Sequence, residues 1–331
     1  MHYEESKAIL DKINSCGRIL VSCHKDPDPD SIGSALAFRK VLLDQGKSVD
    51  VVCVSPQLFE NVSYLFGYSE IKTAVDFTNF DYSIYDLFII LDSSSVDRVT
   101  GDSQISNIPL PKIVIDHHET NMKFGDINLV DKEKTSVGEM LYEIFEDLSL
   151  PMDQKIAECL MASIVGDTGA FKFPSTSKRT FEIVIGLMDK GADKNKAVSE
   201  IYMSEDYNVL RFWGEVLSKM KLDLDRKFVW SAIDYETFEE CGKPRTGKET
   251  AASSFVEIVK GTDFGFVACE EEKGYLKISF RSRTGFDTSK IASELGGGGH
   301  VYASGASIKG LDFDQAVERL LEVVNKHTNK P

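Results

Sequence analysis

The first half of the chain alternates between short apolar runs and longer segments in which apolar residues recur at helical spacing. Four apolar runs predict buried strands of a parallel sheet, at residues 18–23, 49–54, 86–92 and 112–116. Five segments with an apolar stripe predict helices, at residues 6–16, 31–45, 136–148, 153–165 and 177–190. This alternation predicts an α/β fold with an open, mainly parallel N-terminal sheet and helices on both faces.

The pattern changes after residue 190. Alternating apolar and polar residues predict strands at 228–233, 264–270 and 275–281. Further helices are predicted near 249–260, 287–295 and 313–327. We therefore expect a catalytic domain over residues 1–190, a charge-rich helical connection over 191–225 and a smaller α/β domain over 226–331.

Length and charge narrow the classes of function. A chain of 331 residues is long enough for about two domains. Its 38 basic and 53 acidic residues give a net charge of −15, which argues against a protein that coats duplex DNA or an anionic membrane. A small phosphate-bearing substrate in a local pocket is compatible with this charge. The stretch 273–309 is locally basic, with six basic and two acidic residues.

The sequence also predicts a location for the protein. Residues 1–10 lack the basic and apolar regions of a signal peptide. The longest apolar runs, such as 87–91, are too short to span a bilayer. The six cysteines are scattered and form no CxxC pair, which is typical of reduced thiols. We therefore expect a cytoplasmic protein with no membrane partner.

Polar segments follow the first, third and fourth predicted strands and the helix over 153–165. They read HKDPDPD (24–30), DSSS (92–95), DHH (116–118) and GDTG (166–169). Each segment alone is typical of a turn, a helix cap or a surface pair. In an open α/β sheet, however, the active crevice lies beyond the carboxyl ends of the strands. We therefore expect the four segments to converge there on one site.

The residue types in these segments predict a metal site. Several aspartates crowded at one sheet edge would be forced to take up protons unless positive charge compensates them. A pair of divalent cations would do so. A mixed set of imidazole and carboxylate ligands without thiolates suits Mn²⁺ best, with Mg²⁺, Fe²⁺ or Co²⁺ as alternatives. Two metals close together are a common device for in-line attack on a phosphate ester.

The motifs resemble those of a known family. HKDPDPDSIGS (24–34), LDSSS (91–95), IDHHET (115–120) and VGDTGAF (165–171) are similar to the four motifs of the DHH family of phosphoesterases. In the second half, ISFRSR (278–283) and IASELGGGGHVYASGASIKG (291–310) resemble the DHH-associated C-terminal domain. The resemblance extends over residues 5–330. The chain departs from the family's usual second alanine, because Ser304 stands between Ala303 and Gly305.

The resemblance implies two metal ions with distinct ligands. One ion would be bound by His24, Asp28 and Asp92, and the other by Asp30, Asp92, His117 and Asp167. Asp116 would orient its neighbours, and His118 would contact the scissile phosphate. Because Asp28 and Asp30 are two residues apart in a segment that we expect to be extended, their side chains should point in opposite directions. A helix beginning near Ser31 would then turn its N-terminal N–H groups toward the anion.

The resemblance also implies substrate-binding residues in the C-terminal domain. They are Arg281, Arg283, Gly297, Gly298, Gly299 and His300. Glycines allow a backbone to approach a ligand closely and to present its N–H groups to phosphate. Arginine suits phosphate because its planar fork makes two parallel hydrogen bonds.

Within the family, the length and two-domain layout are similar to those of bacterial enzymes that degrade short oligoribonucleotides and dephosphorylate pAp. The resemblance implies hydrolysis of short RNA to mononucleotides, and of pAp to AMP, by a water that two metals activate. One alternative is a phosphodiesterase for linear or cyclic dinucleotides such as pApA, pGpG or cyclic di-AMP. A more remote alternative is a non-catalytic nucleotide-binding sensor, which would be expected to lack metal ligands. The sequence leaves open the direction of hydrolysis and whether the chain is a monomer or a homodimer.

Overall fold

The computed structural model describes residues 2–328. The chain forms two compact units, which meet in the sequence between Ser204 and Glu205. The stretch expected to connect two domains contains one helix of the first unit, Lys194–Tyr202, and one helix of the second, Tyr207–Ser218.

The first unit is built on a five-stranded parallel sheet, which confirms the predicted α/β fold. Its strands are β1 (Arg18–Ser22), β2 (Ser48–Val52), β3 (Leu87–Leu91), β4 (Lys112–Asp116) and β5 (Ile127–Val130), in the spatial order β2-β1-β3-β4-β5. The four predicted strands are all present. β5 was not predicted, because its four residues are mostly half-buried and do not form an apolar run.

The two faces of this sheet are covered unequally. The helices are α1 (Glu5–Asn14), α2 (Pro29–Asp44), α3 (Val96–Thr100), α4 (Val137–Asp147), α5 (Gln154–Asp167), α6 (Lys178–Asp189) and α7 (Lys194–Tyr202), with 3₁₀ turns at Glu60–Val62, Tyr68–Glu70 and Tyr82–Ile84. Side chains alternate along β3, so that Leu87, Ile89 and Leu91 pack in the core shared with the long helices. Phe88 and Ile90 face a second core, which α3 and connecting segments cover.

Small residues allow three helices of the main core to pack closely. A β-carbon on Gly33 of α2 would lie 2.5 Å from the carbonyl oxygen of Cys159 in α5. A β-carbon on Gly138 of α4 would lie 1.9 Å from Oγ of Ser163, also in α5. Neither contact is sterically allowed, so glycine is required at both positions. The close packing brings the N-termini of α2 and α4 near the C-terminus of α5.

The second unit contains a mixed six-stranded sheet. Its strands are β6 (Lys221–Asp223), β7 (Phe228–Ile233), β8 (Phe264–Glu272), β9 (Tyr275–Ser282), β10 (Gly298–Gly299) and β11 (Ala303–Lys309), in the order β10-β11-β9-β8-β7-β6. Its helices are α8 (Tyr207–Ser218), α9 (Tyr235–Glu240), α10 (Gly247–Ala251), α11 (Thr288–Glu294) and α12 (Phe313–Thr328). The helix predicted near 249–260 is shorter than expected, because α10 passes into a π-helical turn at Ala252–Val256.

All six cysteines are buried and unpaired. Between residues 2 and 328, none of the helices has the length and apolar character needed to cross a membrane.

Candidate metal centre

The predicted ligands lie at the carboxyl edge of the first sheet. His24 follows β1, Asp92 follows β3 directly, and His117 follows β4. These three strands are neighbours in the sheet and run parallel, so their ends meet at one edge. The remaining predicted ligands lie at helix ends. Asp28 is the N-cap of α2, Asp30 lies in the first turn of α2, and Asp167 is the last residue of α5.

One group of candidate ligands consists of His24, Asp28 and Asp92, whose ligand atoms lie within 4.8 Å of one another. Nε2 of His24 is 3.3 Å from Oδ2 of Asp92 and 3.6 Å from Oδ2 of Asp28. His24 and Asp92 are buried, whereas the side chain of Asp28 is partly open to solvent. The group could therefore hold a cation that remains accessible from one side.

A second group consists of Asp30, His117 and Asp167, again with ligand atoms within 4.8 Å of one another. Nε2 of His117 lies 3.1 Å from Oδ2 of Asp167 and 3.8 Å from Oδ2 of Asp30. It also lies 3.5 Å from Oδ1 of Asp92. The two oxygens of Asp92 thus face two different histidines, the arrangement that a bridging carboxylate requires.

Two buried atoms in this cluster have no hydrogen-bond partner. They are Oδ1 of Asp92 and Nε2 of His117. A buried polar atom without a partner is costly, so an unpaired carboxylate oxygen opposite an unpaired imidazole nitrogen needs an explanation. A divalent cation would accept both lone pairs. The donor set, imidazole and carboxylate without thiolate, fits a pair of divalent cations.

The backbone of Asp92 is also unusual. Its φ angle is +53°, in the left-handed region that residues other than glycine rarely adopt. The N–H group of Asp92 donates to the carbonyl oxygen of Ile115 in β4, which fixes the residue against the neighbouring strand. Left-handed residues that a fold holds in place are frequent at functional sites.

The charges of the cluster are strongly coupled. Burial opposes a charge on His24, but the carboxylates of Asp28 and Asp92 outweigh it and raise the pKa of His24 to about 10. Burial likewise opposes a charge on His117, and Asp167 and Asp92 raise its pKa to about 12. Burial raises the pKa of Asp30 well above its usual value. Without metal the cluster therefore retains protons, which a bound cation must displace.

Backbone carbonyls lie against the two imidazoles that are candidate ligands. Nδ1 of His24 lies 2.8 Å from the carbonyl oxygen of Lys25, and Nδ1 of His117 lies 3.3 Å from that of Lys134. If Nδ1 carries the proton and donates it to the carbonyl, the lone pair of Nε2 faces the carboxylates. This is the tautomer that a metal ligand needs.

Asp116 connects the DHH segment through both of its carboxylate oxygens. Oδ1 accepts hydrogen bonds from the N–H group of His117 at 2.9 Å and from Nδ1 of His118 at 2.8 Å. Oδ2 accepts a bond of 2.6 Å from Nδ2 of Asn121, which also donates to the carbonyl oxygen of Ser93. Sequence reasoning missed Asn121, because a lone asparagine in a loop carries no signal of its own.

One local prediction was wrong. Asp28 and Asp30 do not lie in an extended segment, because α2 begins at Pro29, two residues earlier than predicted. Asp28 is the N-cap, and its Oδ1 accepts the N–H of Ser31 at 2.9 Å. That N–H group is therefore not available to an anion. Aspartate before proline is a favourable helix start, and it places the two carboxylates in different environments.

Asp30 of α2 is fully buried, and its carboxylate accepts hydrogen bonds from the N-terminus of α4. Its carboxylate accepts hydrogen bonds from the N–H groups of Val137 at 2.8 Å and of Gly138 at 3.2 Å. The hydroxyls of Ser34 and Ser163 donate to it as well. Asp30 therefore joins α2, α4 and α5 at the candidate site.

The predicted substrate-binding residues lie at one end of the second sheet. Arg281 on β9 is in register with Ala303 on β11, whose carbonyl oxygen accepts the N–H group of His300. Burial lowers the pKa of Arg281, and its Nε donates to Oγ of Ser253 at 2.9 Å. Arg283 is exposed. Within residues 2–328, no carboxylate lies within 4.0 Å of either guanidinium.

The glycine run is partly required by packing. A β-carbon on Gly297 would lie 2.1 Å from the carbonyl oxygen of Gly305, and one on Gly299 would lie 2.6 Å from Cα of Ser304. Gly299 also has a φ angle of +139°. A β-carbon on Gly298 would meet nothing within 4 Å. Packing against β11 thus explains Gly297 and Gly299, whereas the exposed Gly298 is free to face a ligand.

Comparisons with known proteins agree with this architecture. Residues 18–164 match the model of the DHH family, N-terminal domain, and residues 248–330 match that of the DHHA1 domain. A bifunctional oligoribonuclease and PAP phosphatase of Thermus thermophilus is 29% identical over 99% of this chain and 96% of its own. The protein of the same name from Bacillus subtilis is 28% identical over 93% of this chain and 95% of its own. The crystal structure of an exopolyphosphatase-related protein from Bacteroides fragilis is 25% identical, covers 98% of this chain and 96% of its own, and has a TM-score of 0.85.

Proposed function

The chain belongs to the DHH family of phosphoesterases, and from that premise we propose that it hydrolyses short oligoribonucleotides to mononucleotides and pAp to AMP. The observation that carries this proposal is the carboxylate of Asp92. One of its oxygens faces His24, the other faces His117, and the latter oxygen is buried without a hydrogen-bond partner. Two divalent cations with Asp92 as a shared ligand would account for this arrangement.

The chain would hold the cations with the two groups already described. His24, Asp28 and Asp92 would bind one, and Asp30, Asp92, His117 and Asp167 the other. When bound, the cations would supply an activated water and neutralise the charge that develops on the phosphate. We propose Mn²⁺ as the preferred metal, because the ligands are a mixture of imidazole and carboxylate.

His118 is suited to contact the scissile phosphate. Its Nδ1 donates to Asp116, so Nε2 is the ring nitrogen that remains for a substrate. The hydrogen bond from His118 to Asp116 raises the pKa of His118 and favours the charged imidazolium. About half of its side chain is exposed. His118 would therefore stabilise the phosphoryl oxygens or give a proton to the leaving oxygen.

The second unit would supply substrate-binding groups. Arg281 and Arg283 have guanidinium groups with no carboxylate partner in the described part of the chain, and His300 lies at the same end of the sheet as Arg281. These three side chains, with the backbone of Gly297, Gly298 and Gly299, would bind a phosphate or nucleotide of the substrate.

The test is a hydrolysis assay on 5′-labelled di- to pentaribonucleotides and pAp with Mn²⁺ and with Mg²⁺. Mononucleotides and AMP should form with Mn²⁺, and EDTA should stop the reaction. Asp92→Asn keeps the side-chain shape but removes the charge, and it should lower kcat by about 10³-fold or more. Asp189→Asn, on the exposed end of α6, should leave kcat unchanged.

Two results would contradict the proposal. Near-normal turnover in Asp92→Asn would exclude the role of Asp92 as a ligand shared by two cations. A value of kcat/KM for pGpG or cyclic di-AMP far above those for pAp and short RNA would assign the enzyme to cyclic or linear dinucleotides instead.

A further inference from the structure

Arg98 differs from the other arginines of the first unit. Arg18, Arg39 and Arg179 each lie within 4.0 Å of a carboxylate. Within residues 2–328, no carboxylate lies that close to Arg98. The side chain of Arg98 is also exposed. The guanidinium is therefore available to an anion from outside the chain.

The structure holds Arg98 beside the candidate metal centre. Its Nη2 lies 3.2 Å from Nδ1 of His24. Its carbonyl oxygen accepts the N–H group of Lys25 at 2.7 Å, which joins α3 to the segment that carries the first ligands. Arg98 is thus fixed through its backbone, while its side chain remains exposed.

The contact with His24 does not satisfy the guanidinium. Nδ1 of His24 also lies 2.8 Å from the carbonyl oxygen of Lys25. In the tautomer that a metal ligand needs, Nδ1 carries the proton and donates it to that carbonyl, so Nδ1 cannot accept a bond from Arg98. The five N–H donors of Arg98 are consequently left for solvent or for a ligand.

The guanidinium group of Arg98 indicates which kind of anion it would bind. A planar fork of N–H groups matches two oxygens of one phosphate. Nε2 of His24 faces Asp28 and Asp92, whereas Nδ1, on the other side of the ring, faces Arg98. A phosphate on Arg98 would therefore be displaced from the centre by the width of the imidazole ring.

Resting on the proposed function, we infer that Arg98 binds a second phosphate of the substrate, the one next to the scissile phosphate. Arg98 thereby makes the enzyme prefer nucleotides that carry two phosphates. This role is separate from that of Arg281 and Arg283, because Arg98 belongs to the same unit as the metal ligands.

The test compares ApA, pApA and ApAp, which share one scissile linkage and differ in a terminal phosphate. The wild-type enzyme should have a higher kcat/KM for at least one of the phosphorylated forms than for ApA. Arg98→Ala should lower this preference, the ratio of the two kcat/KM values, by about 10- to 100-fold. Arg98→Lys, which keeps the charge but loses the fork, should give an intermediate ratio.

Arg18→Ala is the matched control, because Arg18 is also in the first unit but lies at the opposite end of β1 from the site. It should leave all three kcat/KM values unchanged. Equal losses on all three substrates in Arg98→Ala, or an unchanged preference, would overturn the inference. Equal kcat/KM values of the wild-type enzyme for ApA, pApA and ApAp would also overturn the inference, although the proposed function would then stand. A wild-type enzyme inactive on all three would instead refute the proposed function.

Discussion

At the scale of single residues, the candidate site includes side chains outside the predicted set that hold its members in place. Asn121 illustrates this, because its amide bridges Oδ2 of Asp116 and the carbonyl oxygen of Ser93. Asp116 in turn holds Nδ1 of His118. Asn121 therefore positions His118 through Asp116 and also joins the loops that follow β3 and β4.

We predict that Asn121→Ala lowers kcat by about 10- to 100-fold with little change in metal content, because an outer partner of the site is lost. Once Asp116 is less firmly held, the pKa of His118 should fall toward its ordinary value. Activity that needs protonated His118 is lost as the pH rises through that pKa, so the basic limb of the pH–kcat profile should move to lower pH.

A control variant separates this effect from a general loss of order. Asn79→Ala removes a similar bond, from Nδ2 to Oδ2 of Asp76 at 2.7 Å, in an exposed loop. It should change neither kcat nor the pH profile. A normal kcat in Asn121→Ala would show that Asp116 needs no second anchor.

At the scale of elements, strands buried in the sheet were the most predictable. β1, β3 and β4 are almost fully buried, so each is a short apolar run in the sequence. β10 and β11 read GG and ASGASIK and carry no such pattern. Their pairing depends on close backbone contact at Gly297 and Gly299, which is a tertiary property.

The positions of helix ends were the least predictable part of the candidate site. The predicted helix over 153–165 ended before Asp167, but α5 continues through Gly166 and ends at Asp167. The early start of α2 likewise changed the surroundings of Asp28 and Asp30. Residue identities and their order along the chain therefore indicated the candidate ligands, while helix capping and packing determine which way each carboxylate faces.

A helix cap in the second unit gives a prediction on pH and stability. Asp234 is the N-cap of α9, and its carboxylate accepts a hydrogen bond from the N–H group of Thr237. The same carboxylate forms an ion pair with Lys219. Burial opposes its charge, but these partners outweigh burial and lower the pKa of Asp234 to about 2. The pKa of an aspartate in the unfolded chain is about 4, so the charged carboxylate of Asp234 stabilises the folded protein fully above pH 4. This stabilisation is lost as the pH falls through the folded-state pKa of about 2.

At pH 7, Asp234→Asn should lower the free energy of unfolding by about 1 kcal/mol, because asparagine keeps the cap but not the charge. The difference from wild type should shrink at pH 3. Urea unfolding followed by tryptophan fluorescence measures this, since Trp213 and Trp230 both lie in the second unit. Glu318→Gln, an exposed charge on α12, is the control. An equal difference at both pH values would exclude the charge as the cause.

At the scale of the whole molecule, the net charge of −15 bears on the size of the substrate. Part of the acidic surplus lies in the candidate centre, in Asp28, Asp30, Asp92 and Asp167. Two divalent cations would offset these four charges locally. The remaining surplus would still repel a long polyanion, whose phosphates extend beyond the neutralised centre.

We therefore predict that kcat/KM at low salt falls by about 10-fold between a pentaribonucleotide and a 20-nucleotide RNA with the same five residues at the cleaved end. Repulsion between exposed charges is screened over about 10 Å at 0.1 M salt, so raising the salt should narrow this gap. A gap that does not change with salt would indicate a steric limit on length rather than an electrostatic one. Equal cleavage of both RNAs at low salt would show that the acidic surplus does not select for short substrates.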